Sequence, residues 1–232
     1  MKTMICSDFL SMRSTLIQLS LIVAVIVLVM AFVTDSLVAS TAAIVAMAPF
    51  MFLFSVAALD EQNGWERFRL TLPLSRRQVI LGRYASVLLA TVATVAGVLI
   101  FVFVIGGVAQ LISGGDPSSP LACASYDSNP PTVILGSAVM AALVILVGCS
   151  VALPLVARFG VTKASRFVPL AVVLMLAFGV GFCGEYFTSV DFSELLENAG
   201  TVAFVAVATV VVLAVYALSA LLAAKLYEQR EL

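Results

Sequence analysis

The 232-residue chain is 62% hydrophobic and only 11% charged, with a formal net charge of −1 and a mean hydropathy of +1.18. A soluble domain carries roughly 25% charged residues because its surface must be wetted, and no core of a chain this long hides so much apolar side chain; most of the surface therefore meets lipid. The near-neutral charge gives no basis for a nucleic-acid partner, and four cysteines with no CxxC pair and no histidine exclude the usual zinc sites.

Crossing the hydrocarbon layer as a helix takes about 20 apolar residues, with every backbone group satisfied internally. Residues 1–15 include Asp8 and Arg13, and the apolar run behind them is long enough to stay in the membrane. A cleaved signal peptide is therefore not expected. Six stretches meet the length requirement: 16–34, 37–58, 83–110, 133–157, 167–187 and 199–224. They predict an all-α integral membrane protein, a six-transmembrane-helix bundle forming a single domain over residues 1–232. Asp35-Ser36 is a very short link, so the first two spans form a tight antiparallel hairpin. Pro49, halfway along the second span, is expected to kink it and shape a cavity.

No charge occurs from Tyr84 to Gly115, from Ser128 to Ala157 or from Asn198 to Ala224. Residues 111–131 hold Gly/Asp/Pro/Ser clusters and read as a loop. The fifth span is glycine-rich (Gly179, Gly181, Gly184) and ends at Glu185. Asp191 to Gly200 reads as a short amphipathic helix, with Asp191 as N-cap and Glu194 three residues on.

Orientation follows from the basic residues, which concentrate on the cytoplasmic side of membrane proteins. With six spans, all twelve fall on one side: Lys2 and Arg13, the cluster Arg67 to Arg83, Arg158 to Arg166, and Lys225 and Arg230. The other side carries Asp35, Asp116, Asp127, Glu185, Asp191, Glu194 and Glu197, and no base. Both termini are therefore expected in the cytoplasm.

Residues 59–82 form a long, charged cytoplasmic connection in which Asp60, Glu61, Glu66, Arg67 and Arg69 mix with Trp65, Phe68, Leu70 and Leu72. On a helix Trp65, Phe68 and Leu72 share one face, and Pro73 ends that helix. Ser75 is placed to cap the next helix, which Arg76-Arg77-Gln78 starts and which runs into the third span. One reading is an interfacial helix anchored at lipid headgroups by Trp65 and the arginines. The other is a docking element for a cytoplasmic protein, since aromatic anchors beside arginines are typical of interface hot spots. Periodicity does not separate the two.

The stretch Leu72-Pro73-Leu74-Ser75-Arg76-Arg77 followed by Gly82-Arg83-Tyr84, of the form LPxSRRxxxxGRY, resembles the ABC-2 family of transporter permeases, small bacterial members in particular. Residues Met4 to Arg13 (MICSDFLSMR) resemble that family's start, a short amphipathic N-terminal helix with an Asp before the first span. The resemblance implies a bacterial inner-membrane, multi-pass permease of an ATP-driven exporter. It also implies a second permease chain, as homodimer or heterodimer, and a separate cytoplasmic ATPase subunit. Residues 60–77 would then be the coupling helix and its flanks, with Asp60, Glu61, Trp65, Glu66, Arg67, Phe68, Leu72, Pro73, Arg76 and Arg77 as ATPase-coupling positions. ATP and Mg are expected in that partner and no cofactor in this chain, which has no GxxxxGK[ST] phosphate loop; Gly160 to Ser165 (GVTKAS) has a lysine without the glycine spacing.

Glu185 reads first as a solvated carboxylate at the interface, although an ionisable group at membrane depth is a functional suspect. The resemblance implies that Glu185 and the 191–197 helix, with Asp191 and Glu194, form part of an outer gate. Cys123 and Cys183 map to the same side, and their spacing alone gives no distance for a disulfide; Cys149 lies mid-span as a small apolar residue. An intramembrane enzyme would need paired acids, a Ser/His pair or a histidine cluster, and the sequence offers none. The remaining alternative is a membrane sensor or assembly protein with a cytoplasmic docking loop but no transport.

Overall fold

The computed structural model describes residues 36–62, 76–113, 125–126, 129–160 and 199–228, with Leu10, Gln18, residues 20–27 and Val29. Four long helices dominate: α1 (Leu37–Gln62), α2 (Arg76–Ser113), α3 (Pro131–Phe159) and α4 (Ala199–Glu228). Residues 20–27, inside the first predicted span, are also helical, and the described residues contain no strand. Each of the four is long and apolar enough to cross a membrane. They are apolar around their whole circumference, as expected of a helix with lipid or protein on every side. The fifth predicted span, 167–187, lies outside the described residues.

The helix ends show how local chemistry sets the boundaries. Ser36 caps α1: its Oγ accepts the Ala39 N–H at 3.3 Å, the N-cap to N3 bond that satisfies a first-turn donor. Asn129 serves a second donor, accepting the Leu37 N–H at 2.9 Å. Pro131 opens α3, where its missing N–H costs nothing, and the Pro130 carbonyl accepts from Val133 and Ile134 at 3.0 and 3.1 Å. Gly160 ends α3 at φ 76°, donating to the Val156 carbonyl at 3.0 Å. That is the left-handed cap glycine tolerates best.

Two boundaries differ from the sequence expectation. The segment expected to be loop from residue 111 is helical through Ser113, because Leu111 and Ile112 extend the apolar run. The 59–82 connection is shortened at its first end, since α1 continues to Gln62, while α2 begins at Arg76 as expected. With 38 residues, α2 is about 57 Å long at 1.5 Å per residue, against about 30 Å of hydrocarbon. It therefore extends well beyond the apolar layer. Arg76 and Arg77 at its start oppose the helix dipole, which favours anions there; their placement is not explained by helix stability.

The chain divides into two compact units. One comprises residues 11–50 and 89–145. Its core holds Val27, Leu37, Ile44, Val45, Val98, Val102, Ala109, Ile134 and Ala138, all buried. In the same unit Tyr126 folds back onto α2: its hydroxyl donates to the Phe103 carbonyl at 2.5 Å and its N–H donates to Gln110 Oε1 at 3.1 Å. Its ring lies against Gly106, where any side chain would collide with it. The other unit comprises residues 1–10, 51–88 and 146–232, and it contains the described residues of the predicted coupling region.

Candidate functional site

Of the predicted coupling residues, the structure describes those at the helix ends. Asp60 sits in the last turn of α1, Glu61 follows in the same helix, and Arg76 and Arg77 are the first two residues of α2. Arg77 is exposed. Trp65, Glu66, Arg67, Phe68, Leu72 and Pro73 lie outside the described residues, as do Glu185, Asp191, Glu194, Cys123 and Cys183. Pro49 is buried inside α1, which continues as helix through it.

Asp60 is turned inward and is only 9% exposed. Its Oδ2 accepts a hydrogen bond from Arg83 Nη2, closing an ion pair between the end of α1 and the third turn of α2. The Arg83 Nη1 is buried as well. Hydropathy did not single out this pair. The available signal was that Asp60 and Arg83 are opposite charges flanking one connection, each next to an apolar span. Attraction between two such charges grows as the local dielectric falls, but so does the cost of removing them from water. The pair is therefore weak evidence for stability and stronger evidence for a fixed geometry at this position.

The pair borders a cavity of about 60 Å³ whose other walls are Leu53 and Ala57 of α1, Val79, Ile80 and Tyr84 of α2, Leu153, Val156 and Ala157 of α3, and Tyr227 of α4. Pockets for organic ligands usually run to about 300–1,000 Å³, so this space is too small for one.

A set of neutral hydroxyls follows directly on Arg83. Tyr84 and Ser219 share a hydroxyl–hydroxyl bond of 2.8 Å, and Ser219 Oγ donates to the Ser150 carbonyl. Tyr216 donates to the Tyr84 carbonyl at 2.9 Å, and the two tyrosine rings meet edge to face with centroids 5.0 Å apart. The bonds tie α2, α3 and α4 together inside this unit. Cys149, beside Ser150, is a fully buried free thiol. Sequence reasoning missed this cluster because Tyr216 and Ser219 sit in an apolar run with no periodicity to mark a face.

The arrangement can hold helices in register, and among the described residues no base is hydrogen-bonded to its hydroxyls to activate a nucleophile. Among the described residues, no three His, Cys, Asp or Glu side chains come together as metal ligands would.

Residues 3–228 match the sequence family described as ABC-2 family transporter protein. No curated protein and no solved structure matches the chain.

Proposed function

The chain belongs to the ABC-2 family of transporter proteins, and from that premise we propose that it is the permease subunit of an ATP-driven exporter, paired with a second permease chain and driven by a separate cytoplasmic ATPase. The observation that carries this reading is the family match over nearly the whole chain. Helices of membrane-spanning length and composition support it. In this reading six spans cross the cell membrane, and both termini and the 63–75 segment face the cytoplasm, as the one-sided distribution of Lys and Arg favours. ATP and Mg bind the partner, because the sequence lacks the glycine-rich loop and lysine that cradle phosphates.

Residues 60–77 are the ATPase-docking region, with Trp65 and Phe68 as apolar anchors and Glu66, Arg67, Arg76 and Arg77 as its charged rim. Glu185, Asp191 and Glu194 form part of an outer gate, and Pro49 gives α1 a point at which it can bend.

The test is coexpression of the chain with an ATPase subunit encoded beside it. Wild-type protein is expected to copurify with that subunit and to raise its ATP hydrolysis. Trp65→Ala and Glu66→Ala are expected to weaken copurification and remove the stimulation. A chain that never associates with an ATPase, or variants that associate and stimulate as the wild type does, would defeat the docking assignment.

A further inference from the structure

The 63–75 segment leaves α1 after Gln62 and joins α2 at Arg76. A rigid link between the two helix ends decides whether a push on that segment moves them together or is lost locally. Asp60 lies two residues before the segment, and Arg83 lies two turns into α2. Their ion pair ties together the two helix ends that flank it in sequence. The residue after Arg83 is Tyr84, whose hydroxyl meets Ser219 of α4 and whose carbonyl accepts from Tyr216 of α4. Ser219 in turn donates to the backbone of α3 at Ser150. Two sets of polar contacts, joined through the Arg83–Tyr84 backbone, thus link α1 through α2 to α4 and α3 inside one compact unit.

Two features argue that these contacts do more than hold helices together. A buried ion pair is a poor way to stabilise a fold, because well-packed apolar residues of similar volume hold the same space as well or better. The cavity beside the pair also leaves Asp60, Arg83, Tyr84 and Tyr227 room to rearrange without repacking a filled core. Coupling between sites can be carried by chains of packed side chains, hydrogen bonds and ion pairs that have two discrete arrangements.

We infer that Asp60 and Arg83 are positioning residues that carry movement of the 63–75 segment into α3 and α4 through Tyr84 and Ser219. The inference rests on the reading of that segment as the ATPase-docking region.

The test uses the full permease–ATPase complex, with Cys6, Cys123 and Cys183 replaced by serine so that Cys149, next to Ser150, is the remaining thiol. Its N-ethylmaleimide labelling rate is measured without nucleotide and with ATP plus vanadate. The wild-type complex is expected to change its rate about fivefold or more, the lower end of typical coupling between sites. Arg83→Gln, outside the docking region, is expected to copurify with the ATPase and yet lose that change, and Asp60→Asn is expected to lose it as well. The exchange Asp60→Arg with Arg83→Asp is expected to restore it.

The double variant Asp60→Leu with Arg83→Leu separates positioning from stability: it is expected to unfold no earlier than wild type and still to lack the nucleotide response. If Asp60→Asn or the double-leucine variant keeps the full response, the inference is overturned. The same holds if the assembled wild-type complex shows no response at Cys149. Failure of the wild-type chain to copurify defeats instead the docking reading beneath it, so the two failures are distinguishable.

Discussion

Gly106 and Gly107 are neighbours in α2, yet alanine is expected to act on them in opposite directions. A Cβ at 106 would lie 2.6 Å from Tyr126 Cε1 and 2.9 Å from Cζ, whereas at 107 the nearest atom is Tyr126 Oη at 3.8 Å. Carbon atoms settle at about 3.5–4.0 Å, so at 106 the ring must retreat by roughly 1 Å. That retreat breaks the bond from the Tyr126 hydroxyl to the Phe103 carbonyl, a loss of about 1 kcal/mol. Overpacking adds about 1–3 kcal/mol, and the better helix propensity of alanine returns about 1 kcal/mol.

Gly106→Ala should therefore destabilise the protein by about 1–3 kcal/mol, while Gly107→Ala should stabilise it by up to about 1 kcal/mol. The assay is equilibrium unfolding in mixed micelles with increasing SDS fraction, followed by circular dichroism. In a Tyr126→Ala background the penalty at 106 should vanish, the signature of direct coupling in a double-mutant cycle. If both glycine variants move the midpoint in the same direction by similar amounts, or if removing Tyr126 leaves the penalty in place, the reasoning fails.

Two further outcomes are open to the same measurement. Asn129 is 1% exposed; it accepts from Leu37 N–H at 2.9 Å and Ser36 Oγ at 3.4 Å, and donates to the Ser125 carbonyl at 3.3 Å. Asn129→Ala should cost about 2 kcal/mol and exceed Ser36→Ala, which removes one cap bond worth about 1 kcal/mol and the long bond to Asn129; the reverse order would contradict the capping account. Ser219→Ala should cost more than Tyr84→Phe, because Ser219 bonds both Tyr84 and Ser150 while Tyr84→Phe leaves the Ser150 contact in place. Each bond lost should cost about 0.6 kcal/mol, the average for hydrogen bonds within membranes, and at most about 1.7 kcal/mol; equal costs would argue against a shared network.

Hydropathy located α1, α3 and α4 to within a few residues because an apolar run of membrane length has few alternatives. It also placed the start of α2 at Arg76, since Pro73 and Ser75 bracket a helix opening. What it did not provide was partner choice. A helix that is apolar all round carries no moment to say which side faces protein, so nothing in the sequence joined Tyr84 to Tyr216 or Ser219. Asn129 was read as part of a loop because turn chemistry is local, whereas its function is to serve a helix start 92 residues away. The sequence places Asp60 in the charged 59–82 connection; only the position of Arg83 shows why a carboxylate is buried there.

The cap that Asn129 places on Leu37 also imposes an order on biogenesis. At synthesis rates of about 5–20 residues per second, the 92-residue separation means that Leu37 waits roughly 5–20 seconds before Asn129 has been translated. During that interval water, or a membrane-insertion machine, must satisfy the Leu37 N–H. When residues 129–131 emerge, the start of α3 and the completion of α1 become one event. A variant lacking this amide side chain would therefore leave the Leu37 N–H dependent on such a substitute even after α3 has formed.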